Sequence, residues 1–159
     1  MAEYQIQQSP LLRTSKSVFA GGVEGEWTPA LTFLTPGDVS VSYSVQKGLF
    51  RKFGREVTAD FAIATSAFTH TTASGSLRIT GLPYVSDSNG LLTPGTLYFR
   101  GITKANYTQY APIVEQDETF VLIGASGSGQ TNSVVFETDV PTGGTVVLRG
   151  RAHYFTTTT

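Results

Sequence analysis

Two histidines, His70 and His153, are the chain's imidazoles, and it has no cysteine. A serine hydrolase needs a serine in a strained turn, a base and an orienting acid. His70 lies in the polar connection Thr69-His70-Thr71-Thr72-Ala73-Ser74-Gly75, and His153 stands between Ala152 and Tyr154 near the end of the last strand-like run. No G-x-S-x-G elbow is present, and Gly124-Ala125-Ser126-Gly127-Ser128-Gly129 reads as a glycine-rich turn. Two separated histidines lack the short spacings of a metal site. The densest carboxylate group is Glu115, Asp117 and Glu118. Paired carboxylates can hydrolyse glycosides, and loop oxygens can hold calcium. The simplest reading is a solvated hairpin tip, and the sequence leaves open whether these three hold an ion. Neither Gly124–Gly129 nor Gly143-Gly144 is followed by Lys-Ser or Lys-Thr, so no phosphate-binding loop is expected. Lys47, Arg51, Lys52 and Arg55 interleave with Phe50 and Phe53, which could suit an oligonucleotide-binding barrel. On a strand, however, Phe50 and Lys52 take one face while Leu49, Arg51 and Phe53 take the other. We therefore expect no catalytic centre, no cofactor, no metal and no nucleic-acid partner.

The elements that carry these residues are strands. The chain of 159 residues is one domain by size. About 150 residues suffice to withdraw roughly 70% of the unfolded surface from water. Only 14% of residues are charged and the net charge is −1, so no basic excess is available for general nucleic-acid binding. Thr, Ser and Gly must cover much of the surface, which suits strands with a hydroxyl face. Low charge also leaves little repulsion between copies. No secretory leader is visible near Met1, and no stretch approaches the ~20 apolar residues of a membrane helix. Synthesis in the cytoplasm and no membrane partner are the expectations. Asn106-Tyr107-Thr108 matches a glycosylation sequon and is read as a turn.

Residues 1–26 keep neither a helical nor a strand period and loosen into Gly21-Gly22-Val23-Glu24-Gly25. They read as an extended arm ending in a hinge. From Trp27 to the end, residues 27–159, the period is two. Val39, Val41, Tyr43 and Val45 alternate with Ser40, Ser42, Ser44 and Gln46. Val57, Ala59, Phe61 and Ile63 repeat the pattern, with Asp60 facing solvent or an arginine across a subunit boundary. The remaining inward pairs are Leu77 and Ile79, Leu97 and Phe99, Phe120 and Leu122, Val134 and Phe136, and Val146 and Leu148. Turn signals such as Pro36-Gly37-Asp38, Asn89-Gly90 and Pro94-Gly95 separate the runs. About 8–10 short strands imply an all-β, antiparallel β-sandwich, with a jelly roll as the best single guess. Thr156 to Thr159 read as a frayed strand end.

Four blocks carry a resemblance: Trp27-Thr28-Pro29-Ala30-Leu31-Thr32-Phe33, Gly48-Leu49-Phe50-Arg51-Lys52-Phe53-Gly54-Arg55-Glu56-Val57, Ser76-Leu77-Arg78-Ile79-Thr80-Gly81-Leu82-Pro83 and Pro141-Thr142-Gly143-Gly144-Thr145-Val146-Val147-Leu148-Arg149-Gly150. Together they resemble a jelly-roll module of tailed-phage virion proteins, similar to complement and tumour-necrosis-factor domains. The resemblance implies a homotrimer on the virion that does no chemistry. The aromatic supply, 10 Phe, 7 Tyr and one Trp, exceeds what one sandwich core obviously needs. Phe50, Tyr98 and Phe155 fall on faces opposite the expected core. Tyr98, Arg100, His153 and Phe155 are the expected subunit contacts.

Two virion roles suit the module. A head decoration, or cement, protein would sit on the capsid surface and grip the major capsid protein. Its docking residues would be Leu11, Leu12, Arg13, Lys16 and Phe19 of the arm. The brevity of the segment before the module favours this role. The alternative is a tail-fibre tip that recognises a host receptor through loops such as Tyr84–Leu92 or Tyr107–Tyr110. A small glycan-active enzyme and a lectin-like binder unrelated to phages are the remaining classes.

Overall fold

The computed structural model describes residues 22–127 and 129–158. In chain order the strands are β1 (Gly22–Trp27), β2 (Ala30–Thr35), β3 (Ser40–Phe53), β4 (Glu56–Thr69), β5 (Ser74–Thr80), β6 (Thr96–Arg100), β7 (Gln109–Ile113), β8 (Phe120–Ser126), β9 (Ser133–Val134) and β10 (Val147–Phe155). A 3-10 turn, Glu137–Asp139, lies between β9 and β10. One sheet has the order β1-β3-β4-β10-β6; the other runs β2-β5-β8-β7, with β9 also paired to β8. All pairings are antiparallel, and the sheets pack as an all-β sandwich.

Alternation builds the core. Val57, Ala59, Phe61 and Ile63 point inward from β4, and Leu148, Ala152 and Tyr154 from β10. They meet Leu31 and Phe33 of β2 and Leu77 and Ile79 of β5 from the other sheet. Trp27 closes one side. Its indole Nε1–H donates to the Leu49 carbonyl at 3.3 Å and the Asp60 carbonyl at 3.0 Å. The ring lies over Gly48, where a Cβ would come within 2.6 Å of the indole nitrogen. Only glycine permits that approach.

Several expectations are corrected. In β8 the inward residues are Val121 and Ile123, and beyond β9 it is Val135; Phe120, Leu122, Val134 and Phe136 are one step out of phase. Phe120 lies beneath the Arg78 guanidinium at 4.0 Å, and Phe136 is exposed. Phe120-Val121-Leu122-Ile123 is apolar throughout, so alternation gives no phase there, and a one-residue slip exchanges the faces. In β3 a register shift between Tyr43 and Val45 puts Val45 on the outer face and Gln46, Gly48, Phe50 and Lys52 on the inner one. Phe50 therefore meets Tyr84 edge-on at 5.7 Å instead of facing away from the core.

Both chain ends of the sandwich also differ from expectation. Residues 22–26, expected as the end of a hinge, belong to β1 and pair with β3 from Gly22↔Phe53 to Glu26↔Leu49. Thr156, expected to fray, is fully buried, and its amide donates to the Arg55 carbonyl at 2.8 Å. The docking residues Leu11, Leu12, Arg13, Lys16 and Phe19 lie outside the described residues.

Candidate functional site

The outer face of the β1-β3-β4-β10-β6 sheet carries the densest set of charged and aromatic side chains singled out above. Strand registry sets its rows. Phe53, Glu56 and Phe155 form the first row, and Glu24, Arg51, Thr58 and His153 the second. Glu26, Leu49, Asp60, Arg151 and Thr96 form the third. Lys47, Ala62, Arg149 and Tyr98 form the fourth, and Val45, Ala64, Val147 and Arg100 the fifth. Thr58, Asp60, Ala62 and Ala64 are short, so β4 is a trough between the longer side chains of β3 and β10.

Asp60 pairs within the chain. Arg151 Nε donates to Asp60 Oδ1 at 2.6 Å and Nη2 to Oδ2 at 3.2 Å. The hydrogen bond first, and the carboxylate charge second, raise Arg151 above its ordinary value. Directly opposed neighbours of opposite charge stabilise a sheet modestly. Asp60 faces the solvent side of the sheet, one of the two expectations, and its arginine partner lies 91 positions along the same chain.

His153 forms the other polar cluster. Its Nε2 is 2.8 Å from Glu56 Oε1 and its Nδ1 is 3.2 Å from Thr93 Oγ1. A hydroxyl, an imidazole and a carboxylate thus stand in line. The Thr93 hydroxyl, however, donates to the carbonyl of His153 at 2.5 Å, so its proton is not directed at the ring. That arrangement ties the 93 loop to β10. Phe155 closes the cluster edge-on to the imidazole at 5.4 Å.

The four expected contact residues share this face but form two groups. Tyr98 is 65% exposed on the outermost strand, opposite Arg149. Arg100 donates to Thr145 Oγ1 at 3.4 Å. His153 lies four residues along β10 from Arg149, about 13 Å at strand rise, and is already held by Glu56. The basic and aromatic cluster is likewise dispersed. Lys47 and Arg51 point outward, Lys52 turns inward with its ammonium 5.5 Å from the Tyr84 ring, and Arg55 binds Asp87 at 2.6 Å.

Elsewhere, His70 is not in a solvated connection. It is buried, with Phe33 at 4.8 Å and Phe68 at 5.2 Å between ring centroids. Glu115, Asp117 and Glu118 occupy the β7–β8 connection, where Asp117 takes φ of 58°. The Glu115 and Glu118 carbonyls accept from the Ser86 hydroxyl at 2.5 and 3.3 Å, which folds the 84–92 loop onto this hairpin. Among the described residues no three His, Asp or Glu side chains converge closely enough to hold a metal ion. Beside the hairpin lies a cleft of about 350 Å³ lined by Ser86, Asp87, Leu91, Glu115, Gln116 and Phe155. Sequence reasoning missed the Asp87 carboxylate beneath it, which is 5% exposed and held by Arg55 and by the Asn89 amide at 2.9 Å. Nothing local signals that pairing across 32 residues.

No protein-family model matches the chain, and no curated protein does. Among solved structures, the Dettilon tailspike protein is similar at 20% identity and a TM-score of 0.57, over 82% of this chain. The chain spans 23% of that tailspike's length. At this identity what the two hold in common is the fold: the antiparallel β-sandwich described above.

Proposed function

We propose that this chain is a structural protein of a tailed-phage virion that works as a homotrimer and does no chemistry. The observation that carries the reading is the two-sheet sandwich matched over 82% of the chain to part of a tailspike. The four sequence blocks support it independently. Within this reading we favour head decoration, with copies on the capsid surface bound to the major capsid protein through residues 1–21, the segment before β1. Leu11, Leu12 and Phe19 would supply apolar contact, and Arg13 and Lys16 charge. Three arms on one trimer would bind with avidity even if each is weak.

A second reading is a tail module that contacts the host surface, favoured by the tailspike likeness. There the 84–92 loop and its cleft would be the contact region.

Purified particles decide between them. Decoration requires many copies per particle, located on the head by image reconstruction, and binding to empty heads. Charge reversal of Arg13 and Lys16, with Leu11→Asp and Leu12→Asp, should abolish head binding and leave the oligomer intact. A tail module requires few copies at the tail and binding to whole cells. Absence from particles, or release of product from host polysaccharide, would overturn the proposal.

A further inference from the structure

The first sheet ends in β1 on one side and β6 on the other. The two borders of its outer face carry opposite charge. On β1, Glu24 and Glu26 stand in the outer rows, opposite Arg51 and Leu49. At the far border, Arg149 and Arg100 flank Tyr98. The rows of Arg149 and Arg100 contain no carboxylate. Among the described residues, none of Glu24, Glu26, Lys47, Arg100 and Arg149 takes part in an ion pair. The borders are four strand spacings apart, about 19 Å. One copy cannot bring them together.

We propose that a second copy of this chain does so, its β1 border with Glu24 and Glu26 docking on the β6–β10 border at Tyr98, Arg100 and Arg149. The inference rests on the reading of the protein as an assembly of copies, and it names the surface. Charge selects the arrangement. A two-fold contact of β1 with β1 would oppose glutamates, and one of β6 with β6 would oppose arginines; both are unfavourable. The unlike contact is head-to-tail, and such contacts close into rings when the rotation permits. Tyr98 supplies an aromatic anchor at the centre of the cationic border, the kind of residue that dominates binding energy. Docking also pairs the two edge strands that the sheet has among the described residues, and paired edges are protected from indiscriminate pairing. His153 and Phe155, already engaged with Glu56 and each other, lie away from this contact.

The test is the oligomeric state of the full chain, by sedimentation over a range of concentration and salt. Glu24→Lys with Glu26→Lys should raise the dissociation constant at least about tenfold, and Arg100→Glu with Arg149→Glu likewise. All four reversals in one chain should restore assembly. Circular dichroism establishes that each variant is folded. An oligomer unmoved by either pair of reversals would overturn this inference and leave the virion reading standing. Folded half-swaps that dissociate without rescue by the fourfold variant would also overturn it. A native chain that is monomeric at every concentration would overturn both.

Discussion

Gly48→Ala puts the packing of the only tryptophan to a direct test. The added methyl would come 2.6 to 2.7 Å from Trp27 Nε1, Cδ1 and Cε2. Carbon atoms pack at about 3.5–4.0 Å, so the indole must retreat by about 1 Å or β3 must bend. Neither movement is free. Trp27 is 7% exposed, meets Phe61 edge-on at 6.5 Å and donates to two carbonyls. Overpacking a filled core costs about 1–3 kcal/mol. Losing the net benefit of one hydrogen bond adds about 1 kcal/mol. The expected loss is about 2–4 kcal/mol, or roughly 4–16 °C in Tm for a domain of this size. Chemical and thermal denaturation followed by circular dichroism are the assays, because the chain has one tryptophan and the control removes it. Trp27→Phe provides the internal control. It removes part of the ring that the methyl would strike, so Gly48→Ala should cost at least about 1 kcal/mol less in that background. Gly54→Ala separates strain from clash, since a Cβ there meets nothing within 4 Å and only the φ of +58° is unfavourable. If Gly48→Ala unfolds within 1 °C of the parent, or if its cost is unchanged with Phe at position 27, the close approach does not set the packing.

Three further outcomes follow from the polar contacts. Asp38 is held well below the ordinary carboxylate value, first by the Thr71 hydroxyl and then by the Thr72 and Thr71 amides. Its stabilising effect is therefore present above the unfolded-state value of about 4 and is lost as pH falls below it. Unfolding midpoints between pH 6 and pH 2 should fall more steeply for the parent than for Asp38→Asn; parallel slopes would contradict the assignment. Arg55→Ala should cost about 1–2 kcal/mol, because Asp87 stays buried with Asn89 alone and the Thr156 carbonyl loses its donor at 3.0 Å; proteolysis at the C-terminus should quicken in the same variant. Burial raises the Tyr154 phenol above its usual value, and its hydroxyl donates to the Tyr84 carbonyl at 3.1 Å. Tyr154→Phe should lose about 1 kcal/mol in chemical denaturation and remove from an alkaline absorbance titration a tyrosine that ionises above the usual range.

Sandwich architecture was legible because a period of two survives wherever one strand face meets water. β4 shows this most clearly: Val57, Ala59, Phe61 and Ile63 are buried while Thr58, Asp60, Ala62 and Ala64 are not fully so. The same rule assigned Leu49, Arg51 and Phe53 to one face of β3 and Phe50 and Lys52 to the other. Where the pattern carries no contrast, the sequence is silent. Phe120-Val121-Leu122-Ile123 is apolar on both faces, and its phase is set by the opposite sheet and by Arg78 covering Phe120. A bulge is similarly invisible, since the extra residue between Tyr43 and Val45 changes the face of everything after it without changing composition.

The chemistry divides along the same line. Residue types alone established that the chain offers no thiol and that its basic residues do not exceed its acidic ones. Contacts across long separations were decided only by folding. Asp60 meets Arg151 and Glu56 meets His153 because β4 and β10 are hydrogen-bonded neighbours, although the partners stand 91 and 97 positions apart in the chain. Alternation is a local property of the chain and can be read along it. Strand order, and with it the placing of acids on one border of a sheet and cations on the other, is a property of the packed whole.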